Sequence, residues 1–371
     1  MTIGLTLALY LARRVALAVL AMLLALSALV SLFDVLELLR RAAQRPQVGL
    51  SLVVEIGALR LPFIALQILP FAVLLGGILA FWRLTRSSEL VVVRAAGVSA
   101  WGFLAGPLLV AIGFGILATT ALSPFSAATF ARAERLENAH LRSGAGLSAL
   151  AGGRLWLRQA DRGLDPAGVA ILSGRPVPAP AAGEFLLREV SVWRLSAEDR
   201  PLERIEAPLA RLLPGAWQLE DARRYAEERL PQRLGTFLLP TDLTPARIEN
   251  SFASPETLSF WALPEFIAVL ENAGFSALRH RLHFHSLLSL PLLAAAMLLL
   301  AAGFATRVAR RGGVGRMIAG GVAAGFGLFL LDRIAGEFGE AGSLPVVLAA
   351  WAPALIGLLA SLGLLLHLEE G

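Results

Sequence analysis

Long apolar runs separated by short charged connections occupy both ends of the chain, and the middle third follows a different pattern. A run of about 18 or more apolar residues is long enough to cross a bilayer as a helix. Such runs occur at Val15–Phe33, Leu50–Trp82, Ala100–Leu122, Leu287–Ala305, Met317–Leu331 with its extension, and Leu344–Leu366. Arg13 and Arg14 precede the first, and Asp34 to Arg41 follow it as an amphipathic extension. It exceeds the roughly 7–15-residue apolar core of a signal peptide and has no clear small-x-small cleavage site, so it reads as an uncleaved span. The second run is near 50 Å long as a helix at about 1.5 Å per residue. Its first half carries Glu55, Arg60 and Gln67 and is expected to project beyond the bilayer or line a cavity, with bends at Pro62 and Pro70. The third run is expected to stop at Ser123-Pro124.

From Pro124 to about Ser254 charges are dense and apolar residues alternate. Arg154–Gln159, Val169–Ser173, Phe185–Arg194 and Trp217–Ala222 read as short strands between Gly, Pro and Asp turns, which predicts an antiparallel sandwich or roll. The Pro-rich stretch Arg175–Gly183 reads as a loop. Thr257–Asn272, with Leu258, Trp261, Phe266 and Leu270, reads as an amphipathic helix returning to the membrane, with Gly274 as its stop. The expected fold is a polytopic α-helical membrane protein. Three spans and a cytoplasmic helix at about 87–97 fill residues 1–123, a β domain with its connecting helix fills 124–275, and three spans fill 276–371. No tandem repeat is evident.

Composition supports this class. Of 371 residues, 56% are apolar and 16% charged, and the mean hydropathy is +0.68, more apolar surface than one soluble core hides. There is no cysteine, which excludes disulfides, thiolate metal sites and cysteine nucleophiles. There is no lysine either, so every base is arginine, which excludes Schiff-base chemistry and a P-loop lysine. The net charge of +5 comes from the membrane flanks, since the middle segment is slightly acidic, and it does not point to nucleic acid. Arg13, Arg14, Arg83, Arg86, Arg94, Arg307, Arg310, Arg311 and Arg316 fall on one side, predicted cytoplasmic together with both termini. The middle domain is then outside.

Arg40, Arg41 and Arg45 break that rule, standing after span one on the predicted outer side, and Arg60 lies in the next helix. Two readings stand: snorkelling to headgroups, or an anion-binding collar in which guanidinium forks hold lipid phosphates. His280, His283 and His285 cluster, but only His280 and His283 share a helix face and no carboxylate is adjacent, so lipid-facing polar residues are expected rather than a metal site. Asp332 and Arg333 at the end of span five either pair inside the bundle or meet a transported headgroup. Gly321 and Gly325, extended by Gly320 and Gly327, permit close helix approach, as plain packing or as a movable interface. No HExxH, GxSxG or paired intramembrane carboxylates are present.

Between spans two and three lies Ser87-Ser88-Glu89-Leu90-Val91-Val92-Val93-Arg94-Ala95-Ala96-Gly97. Ser87 is placed to cap a helix, Glu89 sits in the first turn where the dipole favours an anion, and Gly97 ends it, which predicts about three turns along the membrane surface. It is either an interfacial loop helix or a docking helix for a cytoplasmic partner. The wider stretch from Arg83 to Ser99 resembles the coupling region of the lipopolysaccharide-export permeases, the LptF/LptG (YjgP/YjgQ) family. So do Leu69-Pro70-Phe71-Ala72-Val73-Leu74, Arg279-His280-Arg281-Leu282-His283 and Leu348-Ala349-Ala350-Trp351-Ala352-Pro353. The likeness covers nearly the whole chain, is weakest in the middle domain, and is closer to the LptG branch through the Arg-Ala-Ala-Gly and Ala-Ala-Trp-Ala-Pro runs.

The resemblance implies a permease subunit of an ABC transporter in a Gram-negative inner membrane, without an ATPase site or cofactor of its own. It would extract lipopolysaccharide and pass it toward the outer membrane. It implies a paralogous, LptF-like permease as heterodimer partner, a cytoplasmic LptB-like ATPase dimer that binds ATP and Mg, and periplasmic LptC-like and LptA-like bridge proteins. It also implies a periplasmic β-jellyroll-like domain and a cavity lined by spans one and five. By motif, Glu89 corresponds to the coupling-helix glutamate, flanked here by Arg86 and Arg94. The family often has lysines at the outer end of span one, so only the charge of Arg40, Arg41, Arg45 and Arg60 carries over. The alternatives from other classes are a membrane-anchored lipid- or glycan-modifying enzyme with its site in the middle domain, and a scaffold.

Overall fold

The computed structural model describes residues 4–43, 48–95, 97–141, 148–151, 154–161, 168–177, 185–197, 200–226, 230–244, 248, 254–272, 276–308 and 314–369. They form two compact units. One comprises Met1–Leu141, Pro255–Pro264 and Leu278–Gly371, the other Arg142–Ser254 and Glu265–Ala277.

The first unit is helical: α1 (Leu5–Ala42), α2 (Leu50–Arg86), α3 (Glu89–Ala95), α4 (Ala100–Leu117), α5 (Ser123–His140), the start of α6 (Leu263–Asn272), α7 (Leu278–Val308), α8 (Val314–Glu340) and α9 (Val346–Glu369). Six helical stretches among the described residues are long and apolar enough to span a membrane, one for each run in the sequence. α2 and α7 form the centre, with 61% and 72% of their most apolar windows buried. α1 and α8 lie outermost, at 22% each, and expose Leu24, Phe33, Phe326 and Phe338. α2 runs unbroken through Pro62 and Pro70 for 37 residues. The closest crossings are backbone to backbone. A Cβ on Gly76 would stand 2.6 Å from Val19 Cα in α1, and one on Gly106 would stand 2.5 Å from Ala8 O. Only glycine lets helices approach that near.

The third span does not stop at Ser123-Pro124. A π turn, Ala118–Leu122, leads directly into α5, and the apolar helix is continuous from Trp101 to His140. Pro124 lacks the N–H that would bond the carbonyl of Thr120, four residues back. The Trp261 indole N–H donates to that oxygen instead, at 3.1 Å. Ser123 Oγ accepts from Phe260 N at 3.2 Å. Trp261 therefore lies in a turn that repairs α5, and the amphipathic helix begins only at Leu263, not at Thr257. The boundary of the helical unit accordingly falls near Leu141, not at residue 123.

The second unit is one antiparallel sheet with its strands in chain order: β1 (Ser148–Ala151), β2 (Arg154–Ala160), β3 (Val169–Val177), β4 (Phe185–Leu195), β5 (Pro201–Leu213), β6 (Ala216–Ala226) and β7 (Gln232–Pro240). β3 continues through Arg175-Pro176-Val177, which the Pro-rich pattern marks as loop, because these residues pair with Arg188, Leu187 and Leu186 of β4. Residues 178–183 and Gly274 lie outside the described residues. The sheet rolls on itself. Gln159 of β2 donates to Pro240 O at the end of β7 (2.9 Å), and Thr241 Oγ1 donates back to Gln159 Oε1 (2.6 Å). Period-2 alternation then sends Leu155, Leu172, Val192, Ile205, Trp217 and Leu239 into one core, closed by Leu270 and Phe266 of α6.

Candidate functional site

The coupling segment is tighter than its pattern predicts. α3 is seven residues long, about two turns. Ser87 does not cap it. α2 runs to Arg86, and Ser87 closes that helix, its N–H bonding Arg83 O at 3.0 Å. The reversal falls on Ser88, whose φ of 59° is left-handed. Gly97 ends α3 as expected, with φ 79°, and Val98 N reaches back to Val93 O at 3.4 Å.

Glu89 is not a free surface carboxylate. Its Oε2 accepts from the Tyr10 hydroxyl of α1 at 2.9 Å, and its Oε1 accepts from Ser87 Oγ at 2.9 Å. Arg14 in turn donates to the Tyr10 oxygen through Nε (3.1 Å) and Nη2 (2.9 Å) and stacks over its ring. Arg86 is exposed and lies over the Trp82 ring. Arg94 is within α3, and its side chain lies outside what the structure describes. Tyr10 and Arg14 were invisible as partners of Glu89 in the sequence, since 79 residues separate Tyr10 from it.

The basic collar is a paired cluster. Arg60 of α2 donates to Asp34 of α1 at 2.9 Å and also pairs with Glu137 of α5. Arg41 reaches Glu137 at 3.4 Å and Glu37 at 2.9 Å, and Arg40 meets Glu37 at 2.9 Å. Exposure is graded, from 3% at Glu137 through 17% at Arg60 and 50% at Arg41 to 78% at Arg40. Glu137 is not legible as a member of the cluster in the sequence, because it lies beyond the proline where span three is expected to end. Unbroken α5 brings that carboxylate back beside α1 and α2, with Leu38, Val53, Ile56 and Ala133 buried around it. Arg60 Nε and Asp34 Oδ2 are buried without a hydrogen bond among the described residues. Arg45 lies outside the described residues.

Gly321 and Gly325 seat α8 on α2. A Cβ there would meet Ile78 Cδ1 at 2.5 Å and Leu74 Cδ2 at 2.1 Å, whereas Gly327, expected to extend the band, faces open space. Asp332 is half-buried and Arg333 exposed, and neither makes an ion pair with another described residue. Of the histidines, His280 is buried, and His285 lies edge-on to Phe284.

This arrangement places polar sites at the two ends of α1 and builds no group of three or more metal-ligating side chains among the described residues. Residues 9–367 match the family described as lipopolysaccharide export system permease LptF/LptG. Two relatives are the lipopolysaccharide export system permease proteins LptG of Escherichia coli K12 and of E. coli O6:H1 (strain CFT073). Each is 26% identical over 305 residues, covering 80% of this chain and 81% of the relative. A match over almost the whole length, loops and middle domain included, settles the assignment: the chain belongs to the LptF/LptG family of lipopolysaccharide export permeases.

Proposed function

We propose that this chain extracts lipopolysaccharide from the inner membrane as the LptG-type half of a permease heterodimer. The family is one of transporter subunits, not enzymes, and its members work in an ABC transporter with a paralogous permease and ATPase partners. The multi-pass helices belong in the inner membrane. In this reading the arginine-rich loops and both termini are cytoplasmic and the rolled sheet is periplasmic. An ATPase dimer binds ATP and Mg below α3, with Glu89, Arg86 and Arg94 at the contact. The sheet hands the lipid to periplasmic bridge proteins.

The observation that carries the reading is the asymmetry of helix burial. α1 and α8 are the two least covered spans, and both present large apolar side chains along their length. An unpartnered apolar helix face in a membrane suits acyl chains and a second permease. Arg40 and Arg41 stand exposed at one end of α1, where headgroup phosphates can displace Glu37 from them, with half-buried Arg60 beside them; Arg45, next in the sequence, is assigned to the same phosphates by its charge alone. Asp332 and Arg333, toward the end of α8, are assigned to the same headgroup, and Gly321 and Gly325 hold α8 against α2.

A photocrosslinking residue at Phe33 or Phe338 should capture lipopolysaccharide and the paralogous permease, and capture should decline with ATP. One at Leu74, which is fully buried, should capture neither. Equal capture at all three positions would overturn the reading. A cytoplasmic reporter after Gly371 should be active and one inserted near Gly183 silent, and the reverse pattern would overturn the orientation.

A further inference from the structure

We propose that Tyr10 is a positioning residue that locks the coupling segment α3 to α1, so that movement of α3 is delivered along α1 to the arginine–carboxylate cluster at its far end. The inference rests on the reading that α3 meets the ATPase. A tyrosine hydroxyl has one proton to give. Arg14 has no acceptor, so its two contacts at 3.1 and 2.9 Å take up the oxygen's lone pairs and direct that proton to Glu89 Oε2. Ser87, at the end of α2, holds the other carboxylate oxygen. Glu89 is thereby held between two helices, and its charge strengthens both bonds.

α1 is suited to carry such a movement. Among the described residues, its polar side-chain ties to other elements lie at its ends: Tyr10 to Glu89 at one, Asp34 to Arg60 and Arg41 to Glu137 at the other. From Tyr10 to Asp34 the helix rises about 36 Å at about 1.5 Å per residue. Between them α1 crosses α2 at Gly76 and, near Tyr10, crosses α4 at Gly106, both backbone against backbone. The rest of that length is held by apolar packing, as at buried Val15 and Val19, which is not directional. The bond to Glu89 is therefore the polar grip by which α3 moves α1.

The test uses the full complex with its ATPase and paralogous permease, in proteoliposomes holding lipopolysaccharide, and reads ATP hydrolysed per lipid extracted. Tyr10→Phe keeps the ring, its 40% exposure and the stacking of Arg14, and removes only the donor. It should raise ATP used per lipid at least threefold, and Arg14→Gln should shift the ratio the same way by less. Adding Tyr10→Phe to Glu89→Gln should change the ratio less than Tyr10→Phe changes wild type. The chain has no cysteine, so spin labels at Val92→Cys on α3 and Leu36→Cys on α1 report without background. With the lock intact the two labels should keep nearly the same separation when ATP is added, and in Tyr10→Phe that separation should change with ATP. An unchanged ratio, a proportional fall of both rates, or loss of the ATPase from the variant would overturn the proposal. Failure of the wild-type complex to bind the ATPase or extract lipid would instead overturn the functional reading beneath it.

Discussion

Each unit contains a chain of arginines and carboxylates, and the two are built on different principles. In the sheet unit Arg194 points inward beside Val192 and is clasped by Asp161 at 2.6 Å and Glu203 at 2.7 Å, with Arg224 on the other oxygen of Glu203. Burial works against the charge, but the bonds to Asp161 and Glu203 outweigh it and raise the Arg194 pKa above its usual range. Arg194, Glu203 and Arg224 come from neighbouring strands already joined by a backbone ladder. The charges separate only if the sheet opens. In the helical unit the members come from α1, α2 and α5, which share no ladder, and they grade from sealed Glu137 to open Arg40. A sealed network specifies a fold. A graded one keeps its buried end fixed while its outer cations exchange partners at little cost, because exposed ion pairs contribute only about 0–1 kcal/mol.

The sharpest way to break this contrast is Arg194→Ala. It removes the cation that Asp161 and Glu203 share, leaving Glu203 only Arg224, and should cost about 3–5 kcal/mol, read as earlier thermal unfolding of the sheet by circular dichroism. Unfolding at the wild-type temperature would remove the distinction. Glu137→Gln should be milder, about 1–3 kcal/mol, because Arg60 keeps Asp34 and Arg41 keeps Glu37. Capture of phosphorylated lipid should rise in that variant, since the arginines lose a competing carboxylate. A fall in capture would mean that Glu137 positions the cations instead of competing for them.

Glycine substitutions probe the same difference between rigid and yielding contacts. Gly76→Ala presses on the backbone of α1 and should cost about 1–3 kcal/mol, as overpacking does. Gly325→Ala meets only the methyl end of Leu74, which can turn aside, so its loss should stay under about 1 kcal/mol in the same unfolding assay. The smallest stability change belongs to Arg40→Gln with Arg41→Gln, whose ion pairs with Glu37 are open to solvent. That pair should nevertheless crosslink lipopolysaccharide less than wild type does. Equal crosslinking at matched expression would reduce Arg40 and Arg41 to snorkelling.

The amino-acid sequence by itself determined the six spans, because a run of apolar side chains must leave water whatever it later packs against. It determined strands β2, β3, β4 and β6 at least in their centres, because period-2 alternation is a local property. The turn chemistry at Gly97 and the resemblance carried by Arg83 to Ser99 were equally local. Only the tertiary structure decided what depends on distant atoms meeting. The helix survives Pro124 because an indole 141 residues from Thr120 supplies the missing donor. Arg60 is paired because a carboxylate 77 residues away returns on α5, and Glu89 is held because Tyr10, 79 residues earlier, lies across from it. Hydropathy sums over neighbours along the chain, whereas a hydrogen bond or ion pair requires two particular atoms within about 3 Å in space.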